Sequence, residues 1–331
     1  MIMNYINIEH DYSGQLYDET LYMYHLFCEQ SFPQEVKILD GFQNLINTLY
    51  EVHHQDKPEI ITHEMPSLIA SQNKSKILIG FSGGLDTAYD AFYFNDLGYD
   101  VTLMHIKNLN KAYPLEDIFA QKFAQHNGFN YKEYVAKHYQ KEFFIDNPLK
   151  NQLVLSVMID YGLHNNINIY NMGSGSCTSI KDSRIGMTIT DSIEVNQLFW
   201  DGVNKYIENV CIHPIPTDTR KIDKLKYFLE HHPNVLNDIY SCISPHRFNA
   251  SLREHNEKKY NVKLLNGRCG SCFKCCMEAI LLAELNYYDK NSEFINHCWD
   301  ILAKSKNSHR KDLFDKKKPL QERYNNIINY G

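Results

Sequence analysis

The sequence predicts an α/β fold, doubly wound around a mostly parallel five-stranded sheet. From residue 76 onward, short apolar runs alternate with segments of helical spacing, which is typical of such sheets. The composition is globular, with 43% hydrophobic and 22% charged residues, and a chain of 331 residues is long enough to bury a full core. Sheets of this kind bind ligands beyond the carboxyl ends of their strands.

The elements of this fold follow one another in a regular order. Gly98 suits a left-handed helix end, and Pro114 suits a first helical turn. The predicted strands span residues 77–81, 101–106, 131–135, 167–172 and 211–215. The predicted helices span 87–97, 114–126, 149–163, 192–209 and 221–231.

The chain divides by composition into an acidic N-terminal appendage (1–74), an α/β domain (75–235) and a cysteine-containing helical region (236–331). Residues 1–70 hold 11 acidic and two basic side chains, a net charge of −9, against −6 for the whole chain. This segment is either a solvated acidic surface or a module that binds a basic protein partner. Helical spacing appears in it over residues 16–32 and 42–53.

The sequence predicts a cytoplasmic protein with no membrane contact. Its first residues lack the basic start and apolar centre of a secretory signal, and no apolar run reaches the ~18 residues of a membrane span. The nine cysteines are odd in number and four of them lie close together. This pattern favours reduced thiols and a metal site over a disulfide framework.

A glycine loop, Ser82-Gly-Gly-Leu-Asp-Thr87, lies between a predicted buried strand and a predicted helix. Glycines let the backbone approach a ligand closely, and amide groups at a helix start favour an anion. The loop lacks both the Walker lysine and the dinucleotide pattern G-x-G-x-x-G. It suits a pyrophosphate released as a unit, or alternatively a plain turn capped by Asp86 or Thr87.

The cysteine cluster reads Cys269-Gly-Ser-Cys272-Phe-Lys-Cys275, with Cys242 upstream. Four thiolates suit a closed tetrahedral zinc site, and Cys276 is expected to point elsewhere. A three-cysteine iron–sulfur cluster is the alternative.

These motifs together resemble the 7-cyano-7-deazaguanine synthase (QueC-like) family. Ser82–Thr87 is similar to the PP-loop of N-type ATP pyrophosphatases, a loop that argininosuccinate synthetases also spell this way. The Ser-Cys pair at Cys242 and the Cys-Gly-x-Cys-x-x-Cys motif favour the QueC-like family. The resemblance implies a Rossmann-like fold of the HUP (adenine nucleotide alpha hydrolase-like) type and structural zinc on the four cysteines.

The resemblance also implies a set of site residues that bind ATP and a small deazapurine-like acid. It implies that Mg²⁺ binds between the phosphates. It also implies that a carboxylate is adenylated and that ammonia then displaces AMP. The residues implied to bind the nucleotide are Ser82, Gly83, Gly84, Leu85, Asp86, Thr87, His105, Ile106 and Gly173. Those implied to be catalytic are Lys150, Asp182, Arg184 and Lys221.

The sequence departs from the family on the substrate side. HIKNLNKAYP follows the second strand, KDSRIGM replaces a Tyr-Pro-Asp-Cys-Arg segment, Lys150 replaces an arginine, and the acidic appendage has no counterpart.

The expected substrate is 7-carboxy-7-deazaguanine. An amine on a protein, nucleobase or small molecule, as in a defence-associated branch, is the alternative acceptor. A tRNA sulfurtransferase using Cys177, or a non-catalytic ATP-binding module, would be other functions. A homodimer is expected.

Overall fold

The computed structural model describes most of the chain, and three residues predicted to act at the site, Gly173, Asp182 and Arg184, lie outside the described part. By packing, the chain forms two compact units. The first contains Met1–Phe81, Tyr93–Leu109 and Asn130–Pro214, and the second contains Ser82–Phe92, Asn110–Phe129 and Ile215–Gly331. The predicted boundaries near residues 74 and 235 stay a prediction. The described residues are 6–12, 14–27, 32–109, 115–138, 147, 149–172, 193–212, 219–242, 246–304 and 318–328.

Among the described residues, strands and helices alternate from residue 76 to residue 206. The strands are β1 (Ile6–Glu9), β2 (Glu35–Leu39), β3 (Glu59–His63), β4 (Leu68–Ile69), β5 (Lys76–Gly80), β6 (Asp100–Lys107), β7 (Asn130–His138), β8 (Ile169–Asn171), β9 (Ile207–Glu208) and β10 (Cys211–Ile212). The helices are α1 (Gln15–Leu26), α2 (Gln43–Val52), α3 (Leu85–Asp96), α4 (Leu115–Asn127), α5 (Lys150–Asn165), α6 (Ile193–Tyr206), α7 (Lys221–His231), α8 (His246–Tyr260), α9 (Phe273–Glu284), α10 (Glu293–Lys304) and α11 (Leu320–Ile328).

The first unit is built on a six-stranded sheet in the order β1-β7-β6-β5-β8-β10. Every neighbouring pair in this order after β1, which is β7 with β6, β6 with β5, β5 with β8, and β8 with β10, is parallel. This confirms a mostly parallel sheet. The predicted number of five strands is wrong, because β1 adds an antiparallel edge strand beside β7. Ile6 and Ile8 of β1 are buried, since alternate side chains of a strand face the same side.

The core of the first unit forms where α5 packs against α1, β5 and β8. The apolar run of β5 is buried almost throughout, as is usual for a central parallel strand covered on both faces. Helix α5 buries ten residues along its length. The burial of β5 explains why this segment is a continuous apolar run in the sequence.

Two small parallel pairs complete the first unit, β2 with β3 and β4 with β9. The second pair corrects the prediction of one helix over residues 192–209. Helix α6 ends at Tyr206, and the next two residues form β9, in which Ile207 pairs with Leu68. A partner from far along the chain decides this boundary, so local spacing could not reveal it.

The second unit is mainly helical, with α9 packed against α7, α10 and α11. Helix α7 has the predicted bounds, Lys221–His231. Among the residues that the structure describes, none of the helices combines the length and the apolar character needed to cross a bilayer.

Candidate phosphate loop and metal centre

The glycine loop leads from β5 into α3, which begins at Leu85. Gly83 is buried and has φ +78°, a value that L-residues with a side chain rarely adopt. A methyl group at Gly83 would also lie 3.3 Å from the amide nitrogen of Ala120. The turn therefore depends on glycine for both its backbone angle and its close packing.

Two hydroxyl groups frame the loop. Ser82 Oγ lies 3.4 Å from Thr87 Oγ1, and Thr87 Oγ1 donates to the Gly84 carbonyl at 3.3 Å. The Gly84 amide in turn donates to Ser82 Oγ at 3.4 Å. The first amide groups of a helix have no acceptor within the helix, and its dipole favours negative charge there. A helix start of this kind favours a bound anion.

Asp86, in the first turn of α3, forms an ion pair that the sequence did not predict. Lys224 Nζ of α7 lies 2.6 Å from Asp86 Oδ1. The Lys224 side chain is only 4% exposed, whereas that of Asp86 is 32% exposed. A signal was present in the sequence, because Lys224 lies beside the buried positions Ile222 and Leu225 in a predicted amphipathic helix.

Lys221, the predicted phosphate ligand, is the first residue of α7 and is half-buried. It precedes Lys224 by three positions, so the two lysines occupy neighbouring positions on one helix face. The structure places both lysines in the second unit with the glycine loop. A role for Lys221 at the phosphates stays a prediction.

The other described candidates lie in the first unit. His105 and Ile106 belong to β6 and are buried. His105 Nδ1 lies 2.8 Å from the Phe81 carbonyl oxygen, so a buried hydrogen bond holds its ring against the residue that follows β5. Lys150 is the first residue of α5.

The four predicted metal ligands converge on one point. The sulfur atoms of Cys242, Cys269, Cys272 and Cys275 all lie within 4.8 Å of one another. The Cys242 and Cys272 sulfurs are 3.9 Å apart, too far for a disulfide. A tetrahedron with Zn–S bonds of about 2.3 Å has edges of about 3.8 Å. The donor set therefore fits a tetrahedral metal such as zinc.

Backbone amides support the sulfur atoms. The Cys272 amide donates to Cys269 Sγ at 3.3 Å, and the Cys275 amide donates to Cys272 Sγ at 3.5 Å. Hydrogen bonds from Cys242 and Cys269 raise the pKa of Cys272, and a bound metal ion would favour its thiolate form. Cys276 lies outside this group, as predicted, and its sulfur contacts the Gly270 carbonyl at 3.7 Å.

Two residues near the candidate metal ligands, Arg268 and Glu278, also hold the segment that precedes Cys242. Arg268 is 4% exposed, and its guanidinium pairs with Glu278 at 2.9 Å and donates to the Leu236 carbonyl at 2.8 Å. Glu278 also accepts from Ser241 Oγ at 3.2 Å. The chain from Leu236 to Cys242 is thereby fixed by buried polar contacts as well as by the sulfur cluster.

Comparisons with known proteins leave the family open. No protein-family model matches the chain, and no curated protein matches it. A solved structure with some similarity is a predicted subunit of a tRNA methyltransferase from Methanocaldococcus jannaschii. It is 16% identical over 56% of this chain and 87% of its own, with a TM-score of 0.29, a likeness too distant to bear on fold or function.

Proposed function

We propose that this protein is an ATP-dependent ligase of the QueC-like type, with the doubly wound, Rossmann-like topology of that family. It would adenylate a carboxylate, release pyrophosphate and then form a C–N bond. The observation that carries the proposal is the loop at Ser82–Thr87, in which a left-handed glycine, two hydroxyls and a helix start face one short turn. The four-sulfur cluster in the same compact unit supports it.

The proposed chemistry balances in two steps. A carboxylate oxygen of the acid attacks the α-phosphorus of ATP, the bond from that phosphorus to the bridging oxygen breaks, and pyrophosphate leaves. An amine nitrogen then attacks the acyl carbon, the bond from that carbon to the phosphate-linked oxygen breaks, and AMP leaves with the oxygen that came from the carboxylate. With ammonia the product is an amide, and a nitrile requires a second activation that expels the amide oxygen.

The loop would stabilise the leaving group. Amides of the first turn of α3, with Ser82 and Thr87, are suited to pyrophosphate, and Mg²⁺ would bridge its oxygens. Lys221 would offset the charge that develops on it. Lys150, Asp182 and Arg184 are assigned to the acid, and His105, Ile106 and Gly173 to the nucleoside.

The four thiolates would hold zinc in a structural role, because a closed site has no open position for substrate. The proposal includes 7-carboxy-7-deazaguanine as the first acid to test, either in biosynthesis or in a defence-associated branch. It also includes a cytoplasmic homodimer whose acidic N-terminal segment recruits a protein.

The test is to incubate the protein with ATP, Mg²⁺, 7-carboxy-7-deazaguanine and ammonium, and to separate the nucleotide products. The proposal predicts AMP and pyrophosphate in equal amounts. ADP and phosphate would contradict it. Thr87→Val should reduce turnover, whereas Thr62→Val, at an exposed position of β3, should not. Intact-mass analysis of candidate partner proteins, after incubation with the acid and ATP, would reveal a protein amine as the acceptor.

A further inference from the structure

Lys224 is a buried lysine whose partner is the aspartate of the glycine loop. Its Nζ lies 2.6 Å from Asp86 Oδ1, and its side chain is 4% exposed. An ammonium group buried without a partner is strongly destabilising. The buried ammonium group of Lys224 therefore depends on Asp86 as its partner. The exposed pair of Lys226 with Glu230, 59% and 55% exposed, has water as an alternative partner.

A second carboxylate lies one helical turn further along α3. Asp90 is 1% exposed, and its Oδ1 has no hydrogen-bond partner among the residues that the structure describes. Burial raises the pKa of Asp90 well above its usual range, the charge of Lys224 opposes this, and the charge of Asp86 adds to it. The 2.6 Å contact of the Lys224 ammonium group is with Asp86.

The burial of Lys224 argues against direct contact with phosphate. A lysine that binds an anion must reach it with its ammonium group, and the Lys224 side chain exposes almost no surface. Asp86 is the more exposed member of the pair and lies in the first turn of α3. Lys224 can therefore act on a bound anion through Asp86 without touching the anion itself.

We propose that Lys224 is a positioning residue of the phosphate loop. Its ammonium group fixes the carboxylate of Asp86 and, through it, the first turn of α3. The amides of that turn, with the hydroxyls of Ser82 and Thr87, then keep the geometry that receives the pyrophosphate part of a nucleoside triphosphate. The ligand in this inference rests on the proposed function, whereas the effect of Lys224 on the loop does not.

A double-mutant cycle separates positioning from direct contact. Pyrophosphate binding is measured by calorimetry for the native protein, Lys224→Met, Asp86→Asn and the double variant. Each single variant should weaken binding about tenfold or more. The double variant should bind pyrophosphate no more weakly than whichever single variant has the lower affinity. Multiplied effects would overturn the inference, because they would mean that Lys224 acts without Asp86.

Two further variants keep the result specific. Lys224→Arg retains the positive charge and should recover most of the affinity lost in Lys224→Met. Lys226→Met removes an exposed lysine from the same helix and should bind like the native protein. If Lys224→Arg binds as poorly as Lys224→Met, while both remain folded by circular dichroism, charge positioning is wrong.

Hydrogen exchange of the ligand-free protein tests the same claim without ATP chemistry. Lys224→Met and Asp86→Asn should each speed amide exchange in residues 82–92, and Lys224→Arg and Lys226→Met should not. Unchanged exchange in Lys224→Met would overturn the inference. If the native protein binds neither ATP nor pyrophosphate, the proposed function fails while the exchange experiment still decides the positioning role. Should Lys224→Met not fold, Lys224→Gln takes its place in each comparison.

Discussion

The backbone amide of Tyr240 donates a hydrogen bond of 2.8 Å to the carbonyl oxygen of Gly83. Gly83 is the left-handed residue of the glycine loop, and Tyr240 precedes the metal ligand Cys242 by two positions. A single peptide segment therefore joins the candidate metal centre to the candidate phosphate loop. The buried contacts of Arg268 and Glu278 hold the same segment from the other side.

Because of this link, we predict that the metal supports anion binding. Cys272→Ser should lose zinc, release the segment around Tyr240 and weaken pyrophosphate binding about tenfold, or by about 1.4 kcal/mol. Coupling between two binding equilibria is reciprocal, so pyrophosphate should also tighten zinc binding, and a higher chelator concentration should be needed to remove the zinc. Metal analysis and calorimetry of the purified protein measure both effects.

The control for this prediction is Cys211→Ser, which changes an exposed thiol in the first unit. It should keep one zinc per chain and the native affinity. A folded Cys272→Ser protein that lacks zinc and binds pyrophosphate normally would show that the two sites are independent.

Gly267 provides a test of the packing around Tyr240. The rings of Phe119 and Tyr240 stack with centroids 4.9 Å apart, and a methyl group at Gly267 would lie 3.1 Å and 3.3 Å from them. Gly267→Ala should lower the free energy of unfolding by more than the ~1–2 kcal/mol expected for alanine at positive φ. Urea unfolding measures the difference.

Gly128 is the matched control for this change. Its φ is +72°, against +71° at Gly267, and among the described residues no atom beyond its chain neighbours lies within 4 Å of a methyl group placed there. Gly128→Ala should therefore show the backbone cost alone. Equal losses in the two variants would mean that the ring packing at Gly267 contributes nothing.

Asp160 makes the stability of the first unit depend on pH. It is 3% exposed and lies against Gly14, where a methyl group would be 2.0 Å from its Oδ2. Burial raises the pKa of Asp160 to about 7, the charge of Asp18 adds to this, and a hydrogen bond from the Tyr17 backbone opposes it. The folded protein therefore keeps a proton that the unfolded chain releases above about pH 4.

It follows that Asp160 makes stability fall as pH rises from about 4 to about 7, and level off above that. Asp160→Asn should lose this contribution. Between low pH and pH ~8, the free energy of unfolding should therefore fall by about 1–3 kcal/mol less in the variant than in the native protein. Urea unfolding at pH ~5 and pH ~8 measures the change. An unaltered pH dependence in Asp160→Asn, matching that of the exposed control Asp56→Asn, would refute this account.

The parallel strands, the bounds of α7 and the four-sulfur cluster could be predicted from the sequence because each has a local signal. Apolar runs mark strands that are buried on both faces, and close cysteine spacing marks a metal site. The antiparallel edge strand β1 and the pairing of β9 with β4 were missed. Both are short, and partners far away in the chain determine them.

The site shows the same division. The sequence identified the glycine loop, and the family resemblance pointed to Lys221, but neither could show that Lys224 is the lysine paired with Asp86. That pairing depends on how α7 packs against the start of α3, and a lysine among apolar neighbours was its one trace in the sequence. The hydrogen bond between Tyr240 and Gly83 left no trace, because it uses backbone atoms alone.

The most direct test of the central claim is pyrophosphate–ATP exchange without any amine. Labelled pyrophosphate, Mg²⁺ and unlabelled ATP are incubated with the protein, with and without 7-carboxy-7-deazaguanine. If the protein forms an acyl-adenylate, the reaction runs backwards and label enters ATP only when the acid is present. If the acid is consumed in a complete reaction while no label enters ATP, or if ADP accumulates instead, the adenylating ligase is contradicted.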